Sequence, residues 1–318
     1  MPRPRDPIGQ VMIGLFLFLL IPNRATYAGS IGEDGVSMPV YGIELGCEDS
    51  RYPALAGPWI LWCSHGLVDR VRSLETGEDF PLPMAHRSPG IGPNRVYIPG
   101  QHGGLIHLAP EGPIIDEDIT YIHQNIVSPG TVSGDWVAVL TTDSLQAFPI
   151  RQRARRTFSV QPAEWYPPAL SPPFVAWVEN GDSNGEDIYW IDVEEEHMGQ
   201  ILSGGIGNQR HVVASNGHFA WVEPDGLVIF NIATEEHIRF STVTGFNAAP
   251  TLWENIACWE ERADTHIDIQ CSNGLLIDRP GHQLHPSLYA EWLIFREGDH
   301  LFVHRLDTNR HFSPGSRQ

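Results

Sequence analysis

The sequence predicts an all-β protein, a β-propeller of seven four-stranded antiparallel blades, with six blades as the alternative count. A short apolar run, a polar turn and a second alternating run recur about every 40 residues, which is the length of one blade. A proline stands nine residues before the centre of most copies, and this second landmark gives the same register. After the N-terminal segment, no helix-period segment is longer than two turns.

The second strand of each unit is its most regular element. FVAWVE (174–179) matches FAWVE (219–223), IACWEE (256–261) and WLIFRE (292–297), and three weaker copies precede them. We expect this strand to bury its Ala-Trp face against a neighbouring blade. The aligned central positions are Trp62, Ile98, Val139, Trp177, Trp221, Trp259 and Phe295.

The units divide the chain into seven predicted blades and one extra strand. The blades are expected at residues 48–84, 85–122, 123–162, 163–205, 206–244, 245–281 and 282–314. VYGIEL, residues 40–45, has no blade of its own. We expect it to pair with the last blade and close the ring, because an open ring leaves exposed strand edges. A large irregular β-sandwich is the alternative architecture.

The N-terminal segment has the order of a secretory signal peptide. Arg3 and Arg5 precede a wholly apolar run at 11–21, and small residues surround Ala28. We therefore expect residues 1–28 to be removed, leaving one propeller domain over 29–318 in the bacterial periplasm or outside the cell. The apolar run is shorter than the roughly 20 residues of a membrane span. An uncleaved N-terminal anchor is the alternative, and no later segment is expected to cross a membrane.

Charge and composition exclude several classes of function. The formal net charge of −19 opposes binding to nucleic acid. All 20 basic residues are Arg, so the chain lacks the Lys that a P-loop, a kinase-type ATP site or a pyridoxal Schiff base requires. No G-x-S-x-G nucleophile motif occurs either.

The four cysteines predict two disulfides, since an exported chain with an even number of cysteines usually pairs them. Cys258 and Cys271 stand symmetrically about a turn and are expected to face each other across a hairpin. Cys47–Cys63 is then the second pair, although three connectivities are possible.

The repeat residues also carry a resemblance. P-[AS]-L before an FVAWVE-type strand, followed by DIYWIDV (187–193), resembles the blades of the TolB-like propeller family, whose repeats are WD40-like. The resemblance is best over residues 164–308 and implies the fold far more than a function. The chain departs from TolB itself, because it has no room for an N-terminal α/β domain and has seven units where TolB has six blades.

The starts of the innermost strands supply the predicted ligand site. Arg51, Arg87 and Arg210 share one repeat position, and His211 and His285 share the next. If these side chains line one mouth of the channel, they form a cationic site suited to a carboxylate or phosphate, because Arg offers a bidentate fork. The alternative is that each Arg pairs with a neighbouring acidic residue.

No cofactor is expected, with calcium as the weak exception. NGDSNGED (180–187) places Asn180, Asp182, Asn184 and Asp187 around a Gly and partly resembles a calcium loop. The closing Glu of an EF-hand is absent, and the same residues suit a hairpin turn.

These features favour an exported, non-enzymatic and monomeric propeller that binds a protein or an anionic polymer of the cell envelope. The alternative is an enzyme with an axial site. Some propellers of the TolB-like group are lyases of acidic sugars that use His and Arg near the axis. Arg51, Arg87, Arg210, His211 and His285 are the residues that such an activity would use here.

Overall fold

The computed structural model of the protein describes most of the chain from residue 37 to residue 306. The described residues are 37–41, 43, 45, 53–64, 67–86, 89–98, 104–116, 128–151, 155–163, 166–180, 185–201, 208–241 and 249–306. The predicted signal peptide lies outside them. Within these ranges, no helix is long and apolar enough to cross a membrane.

The described strands form seven four-stranded antiparallel sheets, so the predicted all-β propeller with seven blades is confirmed. Blade 1 contains β2 (Ala54–Leu55), β3 (Trp59–Ser64), β4 (Leu67–Ser73) and β5 (Asp79–His86). Blade 2 contains β6 (Gly90–Gly92), β7 (Arg95–Ile98), β8 (Gly104–Ala109) and β9 (Gly112–Asp116). Blade 3 contains β10 (Thr131–Ser133), β11 (Trp136–Leu140), β12 (Ser144–Pro149) and β13 (Arg156–Ser159).

The remaining blades follow the same order. Blade 4 contains β14 (Ala169–Ser171), β15 (Phe174–Asn180), β16 (Glu186–Asp192) and β17 (His197–Ile201). Blade 5 contains β18 (Arg210–Ser215), β19 (His218–Glu223), β20 (Gly226–Asn231) and β21 (Glu236–Ser241). Blade 6 contains β22 (Thr251–Trp253), β23 (Ile256–Arg262), β24 (Ile267–Cys271) and β25 (Leu276–Ile277). Blade 7 contains β26 (Gln283–Tyr289), β27 (Trp292–Glu297), β28 (His300–Arg305) and, as its outermost strand, β1 (Ser37–Val40).

The strand that completes blade 7 begins earlier than the sequence predicts. β1 covers residues 37–40 and pairs antiparallel with β28, whereas the expected strand was 40–45. Tyr41 begins a turn, so the apolar residues of VYGIEL do not continue the strand. Pro39 fits here because the outermost strand has a free edge, where a missing N–H breaks no ladder hydrogen bond.

The first strands of the blades contact one another around a ring, from β2 to β6 and onward to β26, which contacts β2. The proline landmarks mark these innermost strands. Pro53, Pro89, Pro168 and Pro250 each stand directly before one of them. A proline suits the start of a strand because its fixed φ is compatible with extended backbone and its missing N–H lies outside the ladder.

Neighbouring blades pack through the predicted Ala-Trp face. Trp177, Trp221 and Trp259 are fully buried, and each lies in a cluster with the central Ala of the preceding blade: Ala138, Ala176 and Ala220, respectively. A small residue opposite a large one lets successive sheets approach closely, as close packing of the core requires.

Each of these three indoles donates a hydrogen bond to a glutamate two residues further along its own strand. The acceptors are Glu179 (2.8 Å), Glu223 (2.9 Å) and Glu261 (2.9 Å). The bond gives a partner to an indole N–H that is otherwise removed from water. The W-x-E sequence of these blades is therefore a local structural unit.

One of the two predicted disulfides is present in the described residues. Cys258 and Cys271 are directly opposite each other in the β23–β24 ladder and are bonded. Cys63 is buried in β3, and Cys47, its predicted partner, lies outside the described residues.

Hydroxyl groups join the innermost strands of different blades. In four places among the described residues, a backbone N–H of one blade donates to a Ser or Thr hydroxyl of an adjacent blade. The bonds are Leu55 N to Ser287 Oγ (2.9 Å), Leu288 N to Thr251 Oγ1 (2.8 Å), Gly217 N to Ser171 Oγ (2.7 Å) and Glu254 N to Ser215 Oγ (2.9 Å). Leu55 and Leu288 lie in innermost strands, which have no sheet neighbour on the channel side, and Gly217 and Glu254 lie in the turns that follow such strands. At all four positions the hydroxyl supplies an acceptor that the ladder does not.

Replacing Thr251 by Val tests the contribution of one such bond. Thr251→Val keeps the side-chain shape and leaves the Leu288 N–H without its acceptor, so we expect the free energy of unfolding to fall by about 1–3 kcal/mol. Thr251→Ser retains the hydroxyl and serves as the matched control, with a smaller loss. Denaturant titration followed by circular dichroism measures both, and equal losses in the two variants would show that the hydrogen bond is not the cause.

Candidate functional site

The innermost strands of the seven blades end around a funnel. It is a cavity of about 600 Å³ lined by residues from the ends of β2, β6, β10, β14, β18, β22 and β26 and from the turns that follow. Every blade contributes to it, because every innermost strand runs in the same direction along the channel. The funnel is therefore a product of the whole ring.

The lining of the funnel is uncharged as far as the described residues show, and it is partly aromatic. Trp253 of blade 6 and Tyr289 of blade 7 lie with ring centroids 4.3 Å apart and ring planes tilted by 58°. Burial raises the pKa of the Tyr289 phenol, and the Glu291 carboxylate raises it further, so the ring stays neutral. Ser171 and Ser215 also line the funnel, with hydroxyls that already accept hydrogen bonds between blades.

The sequence analysis did not single out this aromatic pair. Its signal is present, since the P-[AST]-L landmark is followed directly by an aromatic residue in two blades, as PTLW (250–253) and PSLY (286–289). The strand ends carry the funnel, whereas the prediction concentrated on the strand starts at the opposite end of the channel.

The predicted cationic mouth is described only in part. Arg51 and Arg87 lie outside the described residues. Arg210, at the start of β18, forms an ion pair with Glu186 of the preceding blade, and both side chains are largely buried. This pairing is the alternative that the sequence left open for each Arg.

His211 and His285 occupy equivalent places in two blades, as the repeat predicts. Each has a φ of 56° and lies within an irregularity of its innermost strand, between Arg210 and Val213 in β18 and between Leu284 and Ser287 in β26. The His211 ring contacts Tyr166 edge to face, with centroids 5.2 Å apart. A bulge of this kind turns a side chain out of the regular alternation of the strand.

A buried carboxylate lies beside His285. Glu260 of blade 6 accepts a hydrogen bond from the His285 backbone N–H at 2.8 Å, and its Oε1 is 3.7 Å from His285 Nδ1. Burial raises the pKa of Glu260, while the backbone hydrogen bond lowers it by a smaller amount. Both His-bearing strands are thus contacted by a glutamate from the preceding blade, Glu186 at β18 and Glu260 at β26.

Replacing Glu260 by Gln should make the protein more stable at neutral pH. Because the folded carboxyl holds its proton more tightly than the unfolded one, the free energy of unfolding of the wild type falls as pH rises from about 4.5 through the raised pKa. Gln does not titrate and still offers an oxygen to the His285 N–H. Denaturant titrations at pH 4, 6 and 8 should show a stability difference that grows with pH in favour of Glu260→Gln, whereas a difference independent of pH would contradict the raised pKa.

The predicted calcium loop is also described in part. Asn180 ends β15 and Asp187 lies in β16, while Asp182 and Asn184 lie outside the described residues. A different group meets the distances of a metal site. His266, Asp268 and Asp278 in blade 6 each place a ligand atom within 4.8 Å of the other two.

Solved structures resemble the chain by fold. BamB from Moraxella catarrhalis is 13% identical with a TM-score of 0.50, covering 85% of this chain and 100% of that chain. TolB from Acinetobacter baumannii is 11% identical with a TM-score of 0.44, covering 77% and 79%. A chain of a nidogen/laminin complex is 9% identical with a TM-score of 0.44, covering 63% and 84%. Neither a protein-family model nor a curated protein matches the chain.

Identities this low show a common fold alone. The match to BamB, together with the seven described blades, shows that the resemblance is one of propeller architecture. The seven described blades separate the chain from TolB itself, for which the sequence comparison expects six.

Proposed function

We propose that the chain is an exported, non-enzymatic β-propeller that binds a protein partner of the cell envelope in its funnel. The observation that carries this proposal is the uncharged cavity of about 600 Å³ to which all seven blades contribute. An aromatic pair at its wall offers large apolar area at a small cost in side-chain entropy, which is the usual composition of an interface anchor site. The occupant is then an apolar or aromatic side chain of the partner.

Export to the periplasm or the exterior is part of the proposal. The N-terminal sequence with its apolar run at 11–21 supports it, as does the Cys258–Cys271 disulfide, because disulfides persist mainly in oxidising compartments. The chain acts as a monomer in this proposal, since the ring of blades closes within one chain.

The second mouth of the channel remains a proposed site for an anionic ligand. Arg51, Arg87, Arg210, His211 and His285 would contribute to it. The ion pair of Arg210 with Glu186 means that an incoming carboxylate or phosphate must compete with a carboxylate that is already bound.

Two sets of variants distinguish the two mouths. Partners are captured from envelope extract with the wild-type protein and with two variants. The funnel variant is Ser133→Arg/Tyr289→Ala. The variant for the proposed opposite mouth is Arg51→Ala/Arg87→Ala/Arg210→Ala. We expect the funnel variant to reduce capture at least about tenfold, which corresponds to roughly 1.4 kcal/mol at an aromatic contact. Ile238→Ala, an exposed residue of β21, is the surface control and should bind as the wild type does.

The other possible outcomes of this experiment indicate a different binding site or a different function. Loss of capture only in the arginine variant moves the site to the opposite mouth and overturns the funnel assignment. If the wild type captures no protein but converts acidic oligosaccharides to unsaturated products, the lyase alternative replaces the scaffold. Circular dichroism spectra of all variants ensure that a loss of capture is not a loss of folding.

A further inference from the structure

Blade 6 carries a cluster of metal-ligating side chains at its outer strands. His266 ends the turn between β23 and β24, Asp268 is the second residue of β24, and Asp278 directly follows β25. Strand direction alternates within a blade, so this turn and the end of β25 lie away from the funnel, at the opposite end of the blade. The cluster is therefore separate from the proposed protein-binding site.

The distances within the cluster suit a small divalent ion. His266 Nε2 lies 3.1 Å from Asp268 Oδ1 and 3.6 Å from Asp278 Oδ1. Two ligand atoms that are each about 2.0–2.2 Å from a tetrahedral zinc ion are separated by roughly 3.3–3.6 Å. One ion among the three side chains thus requires only small side-chain adjustments.

Asp268 supplies an independent reason to expect a ligand. Its exposed fraction is only 6%, and its Oδ1 has no hydrogen-bond donor although the His266 ring is near. An ionised oxygen that is buried without a donor is costly, and native proteins rarely leave one without compensation. A metal ion in front of Oδ1 would provide that compensation.

The His266 ring can present a lone pair to the same point. Its Nδ1 lies 3.2 Å from the Thr265 hydroxyl oxygen, so an Nδ1–H proton can be donated to that oxygen. In that tautomer Nε2 carries the lone pair and faces the two aspartates. A hydrogen bond at the other ring nitrogen is the usual way in which a metal-binding histidine is oriented.

The local charge also favours a cation. The ligand atoms of Asp268 and Asp278 lie within 4.8 Å of each other and of the His266 ring. Glu261 is directly opposite Asp268 in the ladder and accepts the Trp259 indole bond. Two carboxylates thus face one imidazole, and a third lies opposite Asp268 in the ladder.

We propose that His266, Asp268 and Asp278 bind one divalent transition-metal ion, with zinc as the best fit to their geometry. One nitrogen and two carboxylate oxygens form a borderline ligand set, which favours zinc over calcium. The Cys258–Cys271 disulfide joins β23 to β24 and holds together the hairpin whose turn carries His266. Asp278 is 68% exposed, so a fourth position remains open to water.

The calcium loop predicted from the sequence lies in the hairpin of blade 4 that is equivalent to the metal-binding hairpin of blade 6. Asp187 is opposite Glu179 there, as Asp268 is opposite Glu261 in blade 6, and both glutamates accept a tryptophan indole. The predicted calcium loop is thus the same turn two blades earlier. That turn has no histidine, because its sequence is NGDSNGED where blade 6 has RADTHID.

Calorimetric titration with zinc tests the site. The protein is first treated with a chelator and dialysed, and wild type is compared with His266→Ala, Asp268→Asn and Asp278→Asn. We expect one saturable site in the wild type and at least a tenfold loss of affinity in each variant, since removing an outer partner alone costs 10–100-fold at known sites. Asp187→Asn in blade 4 is the matched control and should bind as the wild type does.

A second readout examines the ligand set directly. Cobalt(II) bound by one nitrogen and two oxygens in a tetrahedral site gives visible absorption bands, which His266→Ala should abolish. The proposal is overturned if zinc gives no saturable binding, if the variants bind as tightly as the wild type, or if calcium binds in preference to zinc. Circular dichroism of the metal-free variants verifies that they are folded.

Discussion

The innermost strand of each blade has one edge that no strand of its own sheet covers, and the architecture depends on how these edges are satisfied. A bare edge leaves backbone N–H groups without acceptors and invites pairing with other chains. Here serine and threonine hydroxyls of adjacent blades accept those hydrogens, as at Leu55 and Leu288. The bonds link blade 1 to blade 7 and blade 6 to blade 7, so they also span the place where the ring closes.

A second contact closes the ring of blades at its outer edge. β1 completes blade 7 from the other end of the chain, and the Ser37 hydroxyl lies 3.0 Å from His304 Nδ1 of β28. Burial lowers the pKa of His304, which keeps this imidazole neutral inside the sheet. The hydroxyl bonds hold the blades at the centre and β1 holds them at the circumference. Together they fix the angular positions of the blades and hence the shape of the funnel.

The fold could be predicted because each blade repeats one packing problem. Trp221 must fit against Ala176 of the previous blade, and Trp259 against Ala220, so the same residue types return at a constant spacing. Contacts between blades have no such period. The sequence gives no sign that Glu186 reaches Arg210, or that Trp253 meets Tyr289, because the partners come from different units. The bounds of β1 were wrong for the same reason, since its pairing is set by β28 at the far end of the chain.

The two ends of the channel differ in the interactions that a bound ligand would have to replace. At the strand starts, Glu186 forms an ion pair with Arg210, and Glu260 accepts a hydrogen bond from the His285 N–H. A ligand that binds there must displace an existing interaction. At the strand ends the Ser171 and Ser215 hydroxyls are occupied by the bonds between blades, and the lining is uncharged, with apolar and aromatic side chains beside Ser133 and Asn216. Desolvating such a surface costs little, whereas removing water from charged groups is expensive. In a chain with a net charge of −19, an uncharged funnel is consistent with the proposed binding of an apolar side chain, since burying such a side chain is favourable.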